Sequence, residues 1–151
     1  MYKDIEKVLS EEGMYVSCVI GHSMEPMLHE RRDTVAVVPV TERLKKYDVA
    51  LYRVGEKYVL HRVVRVLPDS YVFCGDNCVE LEHGITDKDI LGKLAEVYRG
   101  EEKMNLDGFG YRFYCRARVM GFLPRKIWRR LRGAVLRRLK KTSRNKNSTE
   151  A

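Results

Sequence analysis

The chain has 151 residues, a length typical of one domain of about 100–200 residues, with 44% hydrophobic and 33% charged residues. This composition supports a hydrophobic core and excludes a chain that is disordered throughout, and the absence of an internal period excludes collagen, coiled-coil and repeat architectures. No stretch approaches 18 consecutive apolar residues, and the N-terminal segment carries acids instead of the apolar core of a secretory signal. We therefore expect a protein that is cytoplasmic or peripheral at a membrane.

The net charge of +8 is concentrated at one end of the chain. Residues 1–111 carry 15 Lys and Arg against 20 Asp and Glu, whereas residues 112–151 carry 14 Lys and Arg against a single acid. A basic tail of this kind binds phosphates, on nucleic acid or on an anionic membrane surface.

The first 100 residues predict a strand-rich unit. Residues 2–12 are predicted to form a short helix, because Ile5, Val8 and Leu9 share one face and Gly13 ends the pattern. β-branched and alternating runs then predict strands at 14–20, 33–40, 47–53, 57–67, 71–74 and 89–99. Residues 75–84 are predicted to form a loop. The short connections indicate an antiparallel sheet or small barrel and disfavour a βαβ fold.

The tail is predicted to be helical, and within it Pro124 occupies a position where a helix can start. Apolar residues recur every fourth position, beside Trp128 and among arginines; they are Ile127, Leu131, Val135 and Leu139. This pattern is typical of a helix in a membrane interface, and equally of a helix that packs on its own domain with a solvated basic face. We expect a folded domain at 1–107, a basic amphipathic helical extension at 108–141, and a disordered tail at 142–151.

Three residues supply the groups that activated-serine chemistry needs. Ser23 follows a predicted strand in GHSMEPML, His61 lies inside YVLHRVV, and Asp76 lies in the loop CGDNC. Taken singly, they fit a turn serine, a core histidine and a hairpin turn. Together they supply a nucleophile, a base that is neutral near pH 7, and a carboxylate to orient that base.

The same segments resemble a known family. GHSMEPML is similar to the G-x-S-M-x-P-x-L box of type I signal peptidases and their relatives in the S24/S26 peptidase superfamily. Four further boxes follow in the family's order; they are YDVALYR, YVLHRVVRV, FCGDN and DILGKLAEVYR. Together with the first box, they cover about residues 14–99. The ordered set is specific, although no single box is.

The resemblance implies a role for each matching residue. Ser23 would be the nucleophile, and His61 would be the general base, as in the archaeal and endoplasmic-reticulum branch, where bacterial enzymes keep a lysine. Asp76 would orient or charge-balance His61, and Met24 and Pro26 would shape the wall of the substrate groove. The implied fold is mainly β, a coiled antiparallel sheet or barrel of the signal peptidase and LexA type. It needs no cofactor or metal, and an edge strand receives the substrate as an added strand.

The chain departs from the family pattern in four places. Glu82 stands where the Ser–His branch has a further Asp, so either Asp76 or Glu82 is the expected partner of His61. Gly21 stands where a Ser often helps to hold the oxyanion, no transmembrane anchor is expected before the first box, and the basic extension is additional. We therefore expect a serine endopeptidase that trims a leader or signal-type peptide or preprotein, docked on an anionic membrane surface through residues 124–141.

Other functions fit less of the sequence. One alternative is a catalytically silent, peptide-binding member of the same family, and another is a nucleic-acid or membrane-binding module built on the basic tail, with nucleic acid disfavoured. A LexA-like repressor is disfavoured because only about 13 residues precede the first strand, too few for a helix-turn-helix. A zinc site at Cys74, Cys78 and His83 is disfavoured by the C-x3-C spacing and by the lack of a nearby fourth ligand.

Overall fold

A computed structural model describes residues 5–122, 124, 127–128 and 131–132. The chain divides into two compact units, Met1–Val119 and Met120–Ala151. The first unit extends beyond residue 107, where the sequence placed the end of the folded domain. In the second unit, the described side chains of Ile127, Trp128 and Leu131 are exposed. The remainder of the predicted amphipathic stretch, and the whole of 142–151, lie outside the described residues.

The first unit confirms the expected fold class, because it is mainly β with one curled antiparallel sheet and a short N-terminal helix. The elements in chain order are α1 (Ile5–Glu12), β1 (Tyr15–Cys18), β2 (Asp33–Val38), β3 (Val49–Val54), β4 (Lys57–Val66), β5 (Tyr71–Cys74), β6 (Glu82–Ile85), β7 (Ile90–Arg99), β8 (Glu102–Lys103) and α2 (Phe109–Met120).

The strand order is β1-β2-β7-β3-β4-β5-β6, and β8 pairs with β7. All pairs are antiparallel. In this order β4 lies between β3 and β5, and β1 is one edge of the sheet. Ala50 of β3 is opposite His61 of β4, and Phe73 of β5 is opposite Glu82 of β6. This order brings residues that are far apart in sequence to one part of the sheet.

The core consists of apolar side chains from the faces of this sheet. One cluster joins Met24, Met27 and Leu28 of the β1–β2 connection to Val35 and Val97. A second cluster is aromatic and includes Tyr52, Tyr71 and Phe73. All four residues of β5 are buried, which fits an apolar strand between two neighbours. The connection that carries Ser23 is therefore anchored in the core.

The described residues correct one sequence prediction. The predicted loop at 75–84 runs into strand β6, whose sequence EHGI shows no apolar alternation and which pairs through its backbone with β5. The helix Phe109–Met120 lies within the helical extension predicted at 108–141, and Tyr111, Tyr114 and Cys115 give it a partly buried face. The N-terminal helix begins at Ile5, and residues 2–4 of the predicted helix lie outside the described chain.

Within the part of the chain that the structure describes, no helix is long and apolar enough to cross a membrane.

Candidate functional site

Ser23 lies in the connection between β1 and β2, in a chain segment held at both ends. Gly21, with a φ of +87°, turns the chain, and its N–H donates to Glu30 Oε1 over 3.2 Å. Val19 N–H donates to the Asp33 carbonyl over 2.9 Å, which closes the base of the connection. Met24 is buried in the core directly after Ser23. The serine is therefore presented on a fixed turn, half-buried at the surface.

His61 lies in the middle of β4 and is only 6% exposed. Its Nδ1 is 3.2 Å from Glu82 Oε1 and 3.2 Å from the Tyr52 hydroxyl oxygen. The Tyr52 hydroxyl in turn donates to Glu82 Oε2. Two acceptors at Nδ1 favour the tautomer with its proton on that nitrogen, because an ionised carboxylate only accepts hydrogen bonds. The other ring nitrogen, Nε2, is then unprotonated and able to accept a proton.

Gly75 brings the Ser23 backbone and His61 Nε2 together. A Cβ at position 75 would be 2.6 Å from the Ser23 carbonyl oxygen and 2.9 Å from His61 Nε2, so only glycine fits there. Asn77 N–H donates to the Ser23 carbonyl over 2.7 Å, and its side-chain amide donates to the His22 carbonyl over 3.1 Å. The loop of the GDN box therefore holds the serine segment beside the imidazole.

The hydroxyl of Ser23 makes no hydrogen bond to His61 within the described residues. Catalytic hydrogen bonds are often long in free enzymes and shorten when substrate binds. Ser23 and His61 line the same cleft, and Gly75 lies against both the Ser23 carbonyl and His61 Nε2.

Burial lowers the pKa of His61 below its ordinary value of 6.5, although the negative charges of Glu82 and Asp76 act in the opposite direction. The direction follows from the cost of placing a charged imidazolium in a site that is nearly closed to water. His61 is consequently neutral at pH 7, the state that a general base requires.

Asp76 lies beside Arg62 and Tyr114. The Arg62 side chain, 1% exposed, donates from Nε to Asp76 Oδ1 and from Nη2 to Asp76 Oδ2, each over 2.8 Å. Tyr114 donates from its hydroxyl to the same carboxylate over 2.9 Å. Of the two carboxylates expected from sequence, Glu82 is therefore the one that contacts the His61 ring, and Asp76 acts on it through its charge.

A cleft of about 780 Å³ contains the site. Ser23, His61 and Glu82 all line it, and Met24 lines it as well. Pro26 follows in the same loop with an exposed side chain and is not among the lining residues. The walls come from β1 with the residues after it and from the first half of β4; they include Tyr15, Ser17, Cys18, Ile20, Lys57, Tyr58 and Leu60. This cleft is large enough for several residues of an extended peptide.

Sequence reasoning missed two residues in the site, Tyr52 and Arg118. Tyr52 lies in the predicted strand YDVALYR, but no sequence pattern indicates that its hydroxyl reaches Glu82. Arg118 of α2 donates from Nη2 to the Glu25 carbonyl over 3.2 Å and also to the Asp76 carbonyl. It therefore connects the serine loop with the GDN loop, and only the packing of α2 reveals this.

The described residues include no group of three or more His, Cys, Asp or Glu side chains arranged to hold a metal ion.

No model of a protein family matches the chain, and no curated protein sequence matches it.

Proposed function

We propose that the protein is a serine endopeptidase that cleaves leader or signal-type peptides, with Ser23 as nucleophile, His61 as general base and Glu82 as the group that orients the base. One observation supports this most strongly. A buried, neutral histidine has its Nδ1 held by a carboxylate and a tyrosine, while its Nε2 edge lies against the serine segment in an open cleft. A serine beside a histidine that is itself oriented by a carboxylate is the arrangement that activates a serine hydroxyl.

The proposed reaction has two steps. Ser23 Oγ attacks the carbonyl carbon of the scissile bond, and its proton moves to His61 Nε2. The tetrahedral intermediate collapses when the C–N bond breaks, and His61 gives the proton to the departing amine. Water then attacks the acyl ester and gives a proton to His61. The C–Oγ bond breaks and His61 returns that proton to Ser23 Oγ, which releases the acid and restores the Ser23 hydroxyl. Glu82 stabilises the imidazolium in both steps, because its carboxylate lies at Nδ1.

The developing oxyanion needs donors beside Ser23. The backbone N–H of Ser23 is the first proposed donor. The N–H of Gly21 is engaged by Glu30. That contact holds Gly21 as a structural part of the turn.

The substrate would lie in the cleft as an extended strand along β1. β1 pairs with β2 on one side and forms the edge of the described sheet on the other. An edge strand offers unpaired backbone groups at regular spacing, to which a peptide adds by β-augmentation. Residues of β1 line the cleft and lead directly to Ser23, so a peptide added there passes the hydroxyl.

The test compares the N-termini of proteins in source cells that express the wild-type chain or Ser23→Ala. New N-termini that depend on the intact serine would identify both the activity and its cleavage site. Ser10→Ala, an exposed serine on α1, is the matched control and should behave as wild type. Identical profiles for wild type and Ser23→Ala, with both proteins folded and expressed, would contradict the proposal and favour a silent peptide-binding protein.

A further inference from the structure

The helix α2 has two faces with different environments. Its inner face contacts the site through Tyr114 and Arg118, and through Tyr111 and Cys115, which both accept hydrogen bonds from Arg62. Its outer face is formed by residues spaced i, i+3, i+4 and i+7, which share one side of an α-helix; they are Phe109, Arg112, Phe113 and Arg116. These four residues are called the outer face below.

The outer face exposes two large aromatic rings. Phe109 is 81% exposed and Phe113 is 65% exposed, one helical turn apart. A single exposed apolar residue is ordinary on a protein surface. Two adjacent phenylalanines between arginines on the side of the helix opposite its buried residues form an apolar patch with a basic border, which is the pattern of an interaction surface.

Charge indicates the kind of partner. α2 contains no acidic residue, and residues 112–151 carry 14 Lys and Arg against one acid, whereas residues 1–111 have an excess of acids. An anionic bilayer offers both an apolar layer for the rings and phosphates for the guanidinium groups just above it. A nucleic-acid duplex offers phosphates without a flat apolar layer for two neighbouring rings.

We propose that the outer face of α2 binds an anionic membrane surface, with the helix axis parallel to the bilayer. Phe109 and Phe113 enter the boundary between headgroups and acyl chains, while Arg112 and Arg116 contact lipid phosphates. This surface is separate from residues 124–141, for which the sequence alone predicts membrane docking. The proposal does not depend on the peptidase activity.

The chain has a single tryptophan, Trp128, which permits a direct test on α2. In the full chain, Trp128→Phe combined with Phe113→Trp gives a fluorophore on the outer face alone. With vesicles of phosphatidylcholine and phosphatidylglycerol, we expect a blue shift of its emission and quenching by brominated lipid. With vesicles of phosphatidylcholine alone, we expect neither change, because the arginines then have no anionic headgroup to contact.

A second measurement leaves Trp128 unchanged and follows binding by sedimentation with vesicles. In vesicle co-sedimentation, Phe109→Ser with Phe113→Ser should weaken partitioning of the full chain by about tenfold or more, since two apolar rings no longer leave water. Val54→Ser, at an exposed apolar position of β3, is the matched control and should partition as wild type. Thermal unfolding followed by circular dichroism identifies variants that have lost the fold.

Four results would overturn the proposal. Unquenched emission from position 113 while the chain still sediments with vesicles would place binding entirely in another segment. Equal partitioning of the double serine variant and wild type would remove the phenylalanines from the interaction. A concentration-dependent dimer that the same variant abolishes, or a blue shift of position 113 with duplex DNA and none with vesicles, would assign the outer face to a second copy or to nucleic acid.

Discussion

Glu82 lies at the Nδ1 edge of His61, and its charge stabilises the protonated ring. We predict that Glu82→Gln lowers the pKa of His61 further, because burial continues to disfavour the imidazolium while one attractive charge is lost. The acidic limb of the pH–rate profile for kcat/KM should therefore move to lower pH. The plateau at neutral pH should fall by about 10²-fold or more, since the imidazolium formed during reaction is no longer stabilised.

The measurement is a pH–rate profile on a peptide identified from the source cells. Glu80→Gln, an exposed neighbour, is the control and should leave both the limb and the plateau unchanged. An acidic limb that moves to higher pH in Glu82→Gln would contradict the assignment of Glu82 as the charge beside the base.

Gly75 is the residue that permits close approach of the serine segment and the imidazole. We predict that Gly75→Ala abolishes cleavage, because the new methyl group would lie 2.6 Å from the Ser23 carbonyl oxygen and 2.9 Å from His61 Nε2. The Ser23 carbonyl belongs to the backbone and cannot move aside without distorting the chain, so a lower melting temperature is expected as well. Kinetic assay and thermal unfolding of the purified variant measure the two effects.

Two other glycines separate the effect on the site from the effect on the fold. Gly110→Ala meets nothing within 4 Å and should be neutral or stabilise the helix by about 0.5–1 kcal/mol, with cleavage intact. Gly92→Ala would place a methyl 2.5 Å from Val37 Cγ1 and 2.7 Å from the Val38 carbonyl oxygen, with neither Ser23 nor His61 among its nearest atoms, and should lower stability in the same way as Gly75→Ala. Loss of cleavage in the Gly92 variant at a temperature where it is folded would refute the local interpretation of Gly75.

At the scale of elements, the helix α2 connects the two loops that form the site. Arg118 donates to the Glu25 carbonyl after Ser23 and to the Asp76 carbonyl of the GDN box. We predict that Arg118→Gln lowers kcat by about tenfold with little change in KM, because the loops then hold the reacting groups less closely while the cleft walls stay intact.

Arg118 is a positioning residue, so its test needs a readout beyond stability. Arg118→Lys should recover part of kcat, since an ammonium group still donates to carbonyl oxygens. Arg116→Gln, on the outer face of the same helix, should keep full kcat on a soluble peptide. A change confined to the melting temperature in Arg118→Gln would indicate a purely structural role.

The sequence predicts the parts of this arrangement that depend on residues close together in the chain. It does not predict the parts that depend on pairing between distant segments. The long strands are visible because β-branched runs end at turn residues, and each lies within two residues of its predicted bounds where both ends are described. β6 is not visible, because Glu82, His83 and Gly84 show no apolar alternation, and its pairing with β5 is in register only at Glu82 and Ile85. The position of Glu82 beside His61 depends on that pairing.

The choice between Asp76 and Glu82 shows the same limit. Both carboxylates follow β5 and both are acceptable partners for a histidine. The choice depends on Arg62, which follows His61 in the sequence. Arg62 is buried and needs a buried counter-ion, and the register of β4 and β5 places it beside Asp76. The spacing of residues along the chain does not reveal the strand register, or that the adjacent side chains of His61 and Arg62 point to opposite faces of β4.

At the scale of the whole first unit, the site is built on elements that the core holds firmly. His61 and Tyr52 lie on neighbouring strands within the sheet, and the serine segment is anchored by buried Met24 and Leu28. Groups on packed elements keep their geometry better than groups on loops alone. The stability of this unit is therefore a condition for the proposed chemistry, and one buried carboxylate makes that stability depend on pH.

Asp33, fully buried at the start of β2, is that carboxylate. Burial raises its pKa, but hydrogen bonds from Arg32 and the His29 N–H outweigh burial and lower the pKa to about 2, from an ordinary 3.8. A pKa lower in the folded state contributes stability above the unfolded value, here about 2 kcal/mol, and this stability is lost as pH falls from about 4 towards 2.

We predict that Asp33→Asn lowers the free energy of unfolding at pH 7 by about 2 kcal/mol and flattens its decline between pH 5 and 2, because the variant no longer takes up this proton on unfolding. Urea unfolding at a series of pH values measures both effects. Asp69→Asn, an exposed turn residue, should reproduce the wild-type curve. A curve for Asp33→Asn that runs parallel to wild type at low pH would show that the charge of Asp33 does not couple folding to pH, and that the loss comes only from its hydrogen bonds.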